Sequence, residues 1–459
     1  MSTPTPYGIR ELALSPSTLR RLAYQYPQRY PVLFDSSSGG ALDHWSVLSA
    51  FPQGALWLDG PAVRTSGAGM TAAGEGGFLD SLEHWWRRER LGGASTAAAL
   101  PFLGGWVVFL DYELAAEIEP LLSLPRASDA PRAFALRVPA ALLYDHRSGR
   151  GYAVSEPGVE CLDALLADAT AAGVSTAAWP PLPAVRAVSE EAPQHFRARV
   201  EAALEYIRAG DVYQANLSRL WRVELAAGSA AAAVYERLRR ANPAPFAAWA
   251  QFRGHTLLSS SPERLVRVRQ GRVDTRPIAG TRPRSRVPGR DHTETTALMA
   301  SAKERAEHVM LLDLERNDLG RVCRGGSVRV DEFMVTESYA HVHHIVSNVS
   351  GELRAAITPV QVLRAVFPGG TITGCPKFRC MQLIAALEGE GRGAYTGALG
   401  YIGHDGSMDF NILIRTLTCS TEGLQFRAGA GIVADSDWRE ELAETRAKAR
   451  GLLAVMEEP

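Results

Sequence analysis

The chain has 459 residues, of which 46% are hydrophobic and 22% charged, and its formal net charge is −1. That profile excludes a disordered chain and gives no footing for a polyanionic partner such as nucleic acid. The opening MSTPTPYGIRELALSPSTLRRLAYQYPQRY lacks a basic region followed by an apolar core. No uncharged run reaches the roughly 20 residues a membrane helix needs, so a cytoplasmic protein with no membrane association is expected.

In chain order, PFLGGWVVFLDYEL and RGYAVSE have strand character, and residues 162–178 read as a helix followed by loop. Clustered prolines in TAAWPPLPAVRAVSEEAP then break regular structure, which divides the sequence into an N-terminal region, 1–185, and a second region, 186–459. Phe196, Val200, Leu204 and Ile207 mark one face of a helix that stops at Gly210. VYQANLSRLWRVEL reads as a strand, and TLLSSSPERLVRVRQGRVDTRPIAG as a hairpin turning at Gln270-Gly271. One long helix is expected over 295–319, strands over 333–353 and in GALGYIGHDGSMDFNILIRTLTC, and a last helix over 436–456. Antiparallel runs with intervening helices point to an α+β fold rather than alternating βα units.

Three groups of residues could carry chemistry. Glu304 and Glu307 lie three apart on a helix, and Glu441, Glu444 and Lys448 share a face of the last one. Two such carboxylates facing one cavity would suit Mg2+, which prefers oxygen ligands, although acidic pairs on helices are more often simply solvated. In SSSPERL, Pro262 should present Glu263 at a strand start, where a carboxylic acid could protonate a leaving hydroxyl. Gly369, Gly370 and Gly374, with Gly429 and Gly431, would let backbone N–H groups approach an anion. The five cysteines form no CxxC pair, and none of their contexts resembles the nucleophile turn of a glutaminase, so reduced buried thiols are expected.

The residues from 194 to 455 resemble the chorismate-binding fold of anthranilate, aminodeoxychorismate, isochorismate and salicylate synthases. The resemblance rests on YQANLSR, SPERL, PIAGTRPR, KERAEHVMLLDLERNDLGRV, HVHHIVSNVSGEL, FPGGTITGCPK, GAYTGALGY, MDFNILIRT and AGAGIVADSD with ELAETRAKA, in the family's order. It implies two antiparallel sheets packed as a sandwich, flanked by helices. It also implies Mg2+ on Glu307 and Glu444, with Glu304 and Glu441 in supporting positions, and Glu263 as general acid for the C4 hydroxyl of chorismate. Arg415, Tyr395 and the backbone at Gly429, Ala430 and Gly431 match positions that hold the enolpyruvyl carboxylate. Thr371, His344 and Lys448 match other pocket positions.

Gln214 stands where the water-adding members carry a lysine base, and an amide cannot take a proton at neutral pH. The resemblance therefore points to the aminating branch, with ammonia supplied by a separate glutamine amidotransferase subunit. NPAPF, FPGGTITG and MDFNILIRT resemble the aminodeoxychorismate synthases, which serve 4-aminobenzoate and folate synthesis. Ala279 in PIAGT cuts the other way, because many of those enzymes carry a lysine there; anthranilate synthase is the alternative. A non-catalytic chorismate-binding or amidotransferase-binding regulator is a third reading, opposed by the full set of Glu263, Glu307, Glu444 and Arg415.

Overall fold

The computed structural model describes residues 7–457 apart from 41, 43, 68–75, 92–99, 128–130, 227–230, 285–287, 339–341 and 421–422. Among the described residues the strands form a twelve-stranded and an eleven-stranded sheet, and every recorded pairing is antiparallel. The α+β sandwich expected from the resemblance is the fold observed.

Apolar residues of both sheets meet in the interior: Val32, Ala248 and Leu257 from the first, Val107, Phe134 and Leu399 from the second. Helices cover the two outer faces. Pro16–Gln25, Leu162–Gly173, Ala231–Ala241 and Trp438–Leu453 lie on the first sheet, where Trp221 and Phe426 stack across neighbouring strands with ring centres 5.4 Å apart. Phe78–Glu89 and Pro359–Val366 lie on the second, while Lys377–Glu388 packs against the Gln214–Leu225 strand of the first. Burying so many aliphatic and aromatic side chains, at about 1.5–3 kcal/mol each, is what holds the layers together.

The sequence boundary at residue 185 falls at the start of the Val185–Glu190 strand, and both sheets draw strands from either side of it. Val32–Asp35 pairs directly with Phe246–Phe252, so the N-terminal region completes the sheets rather than standing beside them. The expected helix over 295–319 is two helices, Pro288–Ala300 and Ala302–Gly320. Ser301 breaks them: its backbone is extended (ψ 112°) and its hydroxyl caps the N–H of Glu304. The hairpin at Gln270-Gly271 and the helix Pro193–Arg208 are present. Residues 339–341, inside the expected strand 333–353, lie outside the described set; strands Arg329–Ser338 and Val342–Glu352 flank them. Among the described residues no helix is long and apolar enough to cross a membrane.

Two places where the chain changes sheet position the site. His255–Ser261 belongs to the first sheet and Arg264–Arg269 to the second, so Pro262-Glu263 is the crossing. Met408–Ile412 belongs to the second and Thr416–Ser420 to the first, so Leu413–Arg415 crosses back. The crossings are stitched together. Ile412 N–H donates to the Glu263 carbonyl (3.0 Å), Ser261 Oγ to the Ile412 carbonyl (2.5 Å), and Ser260 N–H to the Arg415 carbonyl (3.1 Å).

Candidate active site

Glu263 sits at the first crossing with its carboxyl buried, and one oxygen accepts from Thr371 Oγ1 at 2.8 Å. Burial raises its pKa from 4.5 to about 7, against the opposing pull of the Thr371 bond, the Ile278 N–H and the positive charges of Lys448 and Arg415. Near neutral pH a substantial fraction of this carboxyl keeps its proton. Thr371 is placed by the tight turn Gly370–Ile372, between the Pro359–Val366 and Lys377–Glu388 helices.

Arg415, at the second crossing, is half-buried and has a left-handed backbone (φ 50°), with its carbonyl bonded to Ser260. A strained non-glycine residue held by its surroundings is a common mark of a functional position. His344, on the strand paired to Ile278–Pro283, is buried. Its pKa falls to about 3, through burial first and then through the charges of Arg415, Lys448 and His343, so the ring is neutral at physiological pH. Arg415 and Lys448 act on both Glu263 and His344, so the structure places these four side chains in one region.

Lys448, on the last helix, donates to the Gly429 carbonyl at 3.0 Å and pairs with Glu444 at 2.6 Å. Tyr395 is buried, its pKa pushed up to about 12 by burial. Its hydroxyl lies 2.6 Å from where a Gly429 side chain would begin, and Glu444 is among the charges acting on it. The Ala430 side chain packs toward Phe196 and Val200, and its backbone pairs with Leu217 in the sheet. At Gly374 the backbone has φ 139° and a Cβ would meet the Gln214 carbonyl at 2.1 Å. The glycines singled out from sequence thus clear room for neighbouring backbone and side chains. At Gly370 the neighbour is Leu314, and at Gly431 it is the Gln214 amide.

The acidic residues divide. Glu304, on Ala302–Gly320, brings its carboxylate against Gly280, whose backbone also bonds His344. Glu307 stands one turn further along the same helix, half-buried. Glu444 is about half exposed, at 48% of its side-chain surface. Glu441 is buried and accepts from Ser436 Oγ at 2.6 Å. Among the described residues no three acidic, histidine or cysteine side chains gather into a metal cage. Asn216, two residues beyond Gln214, was missed from sequence. The signal was its alternation with Gln214 along a strand, which puts both amides on one face.

LFDSSS and NPAPF, distant in sequence, meet at a cavity of about 1040 Å³ lined by Phe34, Asp35, Ser36, Pro245 and Phe246. Neither Glu263 nor His344 lines it, so it is separate from the site described above.

A buried carboxylic acid, an arginine, a lysine and a neutral histidine bring together groups able to bind an anion and to donate a proton. The chain belongs to the chorismate-binding enzyme family, whose model matches residues 53–454, and it is an enzyme that acts on chorismate. An anthranilate synthase component I-like protein of Synechocystis sp. is 40% identical over 362 residues, covering 78% of this chain and 74% of that one. The aminodeoxychorismate synthase component 1 of Bacillus subtilis is 37% identical over 445 residues, 94% of this chain and 92% of its own. The crystal structure of anthranilate synthase component I from Streptococcus pneumoniae superposes with a TM-score of 0.79 at 30% identity, covering 89% of this chain and 92% of that one.

Proposed function

We propose that the chain aminates chorismate to 4-amino-4-deoxychorismate, acting as the synthase subunit of an aminodeoxychorismate synthase. The observation that carries the chemistry is Glu263: a buried carboxyl that keeps a proton near neutrality can deliver it to the departing C4 hydroxyl. Arg415 offers a fork of N–H donors to the enolpyruvyl carboxylate, with the Tyr395 hydroxyl and the backbone at Ala430 completing its hold. Gln214 has no basic nitrogen, so water is not activated and ammonia, already a nucleophile, is the attacking group. Ala279 supplies no nucleophile of its own. Ammonia therefore adds first at C2 as the C4 hydroxyl leaves, and a second ammonia displaces the first group with attack at C4.

The carboxylates fit Mg2+. They offer oxygen donors only, and Mg2+ commonly takes one or two carboxylates and completes its shell with water and substrate. Glu307 and Glu444 would hold the ion, with Glu304 and Glu441 supporting them. When bound, it would polarise the ring carboxylate of chorismate. Turnover should require Mg2+ and stop with chelator, and Glu307→Gln and Glu444→Gln should each nearly abolish it while folding normally. Full activity of either variant at saturating Mg2+ would sink the metal assignment.

Burial raises the thiol pKa of all five cysteines, so none is a ready thiolate, which supports a separate glutaminase subunit as the ammonia source. The isolated chain should work with ammonium salts and fail with glutamine until such a subunit is added. Aminodeoxychorismate as product is supported by NPAPF, FPGGTITG and MDFNILIRT and by the near full-length match to the Bacillus subtilis protein. Ala279 and the anthranilate synthase names among the relatives favour the second reading, anthranilate plus pyruvate. Chromatography of the product decides: 4-aminobenzoate after a lyase is added supports the first, anthranilate and pyruvate in equal amounts without one supports the second.

A further inference from the structure

Alternate residues of the Val342–Glu352 strand point to opposite faces. His344 lies on one face and belongs to the region of Glu263, Arg415 and Lys448. His343, Ile345 and Ser347 form a buried row on the other, and each meets the helix pair Pro288–Ala300 and Ala302–Gly320. His343 Nε2 lies 2.9 Å from Asp291 Oδ1; a carboxylate only accepts, so the ring donates that bond. Its Nδ1 lies 2.7 Å from Ser338 Oγ on the neighbouring strand. Ile345 packs with Leu298 and Met334 in a small apolar cluster of its own. Ser347 Oγ lies 2.5 Å from His308 Nε2 and accepts from the Met334 N–H at 2.8 Å. The helix pair is broken at Ser301, so fixing one helix does not by itself fix the other. The row holds both: Asp291 and Leu298 before the break, His308 after it.

What the helices carry gives this row its consequence. Glu304 and Glu307 lie between Leu298 and His308 in the chain. Gly280 has a left-handed backbone (φ 66°), and a Cβ there would meet Glu304 Oε2 at 2.8 Å and Leu298 Cδ1 at 3.0 Å. The same glycine's backbone bonds His344. Sliding the helices along the strand would therefore carry Glu304 away from Gly280 and His344. Apolar packing is non-directional and resists such a slide weakly, whereas buried hydrogen bonds specify one register. We propose that His308 and His343 are positioning residues that hold the Glu304–Glu307 edge in register with His344, an inference that rests on the Mg2+ reading above. They act through the two glutamates rather than on the substrate.

The plain alternative is that both histidines only fasten helices to a sheet, and metal binding separates the two. His308→Leu and His343→Leu remove the bonds at similar side-chain size. Ser347→Ala breaks the His308 bond from the strand side and replaces the leucine variant if that one misfolds by circular dichroism. Mn2+, standing in for Mg2+, is titrated by electron paramagnetic resonance with chorismate present and ammonium absent. Each variant should raise the Mn2+ Kd about two- to tenfold, the span of one net hydrogen bond. His308→Gln, whose amide nitrogen replaces Nε2, should stay within about twofold of wild type. At saturating Mg2+ the chorismate KM of every variant should also stay within about twofold. Folded variants that unfold earlier in urea yet bind Mn2+ as wild type does overturn the positioning role and leave the histidines as fasteners. A wild-type protein that binds no Mn2+ overturns the metal reading and the positioning role together.

Discussion

Two buried carboxylates, Glu388 and Glu263, are built to opposite ends. Glu388 receives Arg392 at 2.7 Å, Ser218 through two bonds, and the more distant Arg427 at 3.9 Å. That matched carboxylate is held below its ordinary pKa by Arg392 and Arg427, despite burial that pushes the other way. Glu263 has a threonine hydroxyl and a backbone N–H as bonded partners, and burial wins: its pKa rises to about 7. The same side chain, at similar depth, is held ionised in one place and kept substantially protonated near neutral pH in the other. What differs is whether a guanidinium touches it.

The contrast can be broken most severely at the donor. Glu263→Gln should lower kcat about a thousandfold, the usual scale of general-acid catalysis, with the circular dichroism spectrum unchanged. Rates within tenfold of wild type would leave the acid unassigned. The matched carboxylate should respond in stability. Glu388→Gln leaves Arg392 and Arg427 short of a counter-charge and should cost about 3–5 kcal/mol in urea unfolding at pH 7. Because the Glu388 pKa is depressed in the fold, its contribution is present above the unfolded value and fades as pH falls through the folded one.

Glu263 should show the reverse sign. Its folded pKa lies above the unfolded 4.5, so its favourable contribution is complete below 4.5 and lost as pH rises through about 7. Glu263→Gln should therefore gain on wild type by up to ~3 kcal/mol between pH 4 and pH 8, read from paired urea titrations. Parallel curves would mean that the carboxyl is not strained by ionisation. Activity should follow the same group: plotted against free ammonia, kcat/KM should fall as pH rises through about 7. The smallest effect belongs to the exposed pair. Lys448→Met should cost no more than ~0.5 kcal/mol of stability through loss of Glu444, since both side chains are about half exposed and solvent screens the pair.

Much of this was legible in the sequence, for definite reasons. Helix Pro193–Arg208 and the hairpin at Gln270-Gly271 were readable because period and turn chemistry are local. The break at Ser301 is also local, a serine three residues before Glu304, but the helical pattern continuing on both sides concealed it. That Glu263 and Arg415 stand at adjacent crossings was not readable, because it depends on sheet membership of strands 150 residues apart in the chain, as the Ser260–Arg415 bond at separation 155 shows. Glu388 and Arg392 look like any helix-end i, i+4 pair in sequence; only burial turns them into the counterpart of Glu263. Asn216 was hidden for a similar reason, since an orphaned acceptor such as its Oδ1 is defined by what surrounds it.

The stitched crossings make the active geometry a local property in a large sandwich. The spacing between Glu263 and Arg415 is set by three short bonds among Ser260, Ser261, Glu263, Ile412 and Arg415, not by the registration of two whole sheets. Loosening the interlayer core at Leu257 or Leu399 should therefore drain stability while each surviving folded molecule keeps its turnover. Such a scaffold can accept substitutions in its interlayer core and remain an enzyme, provided the seam is kept.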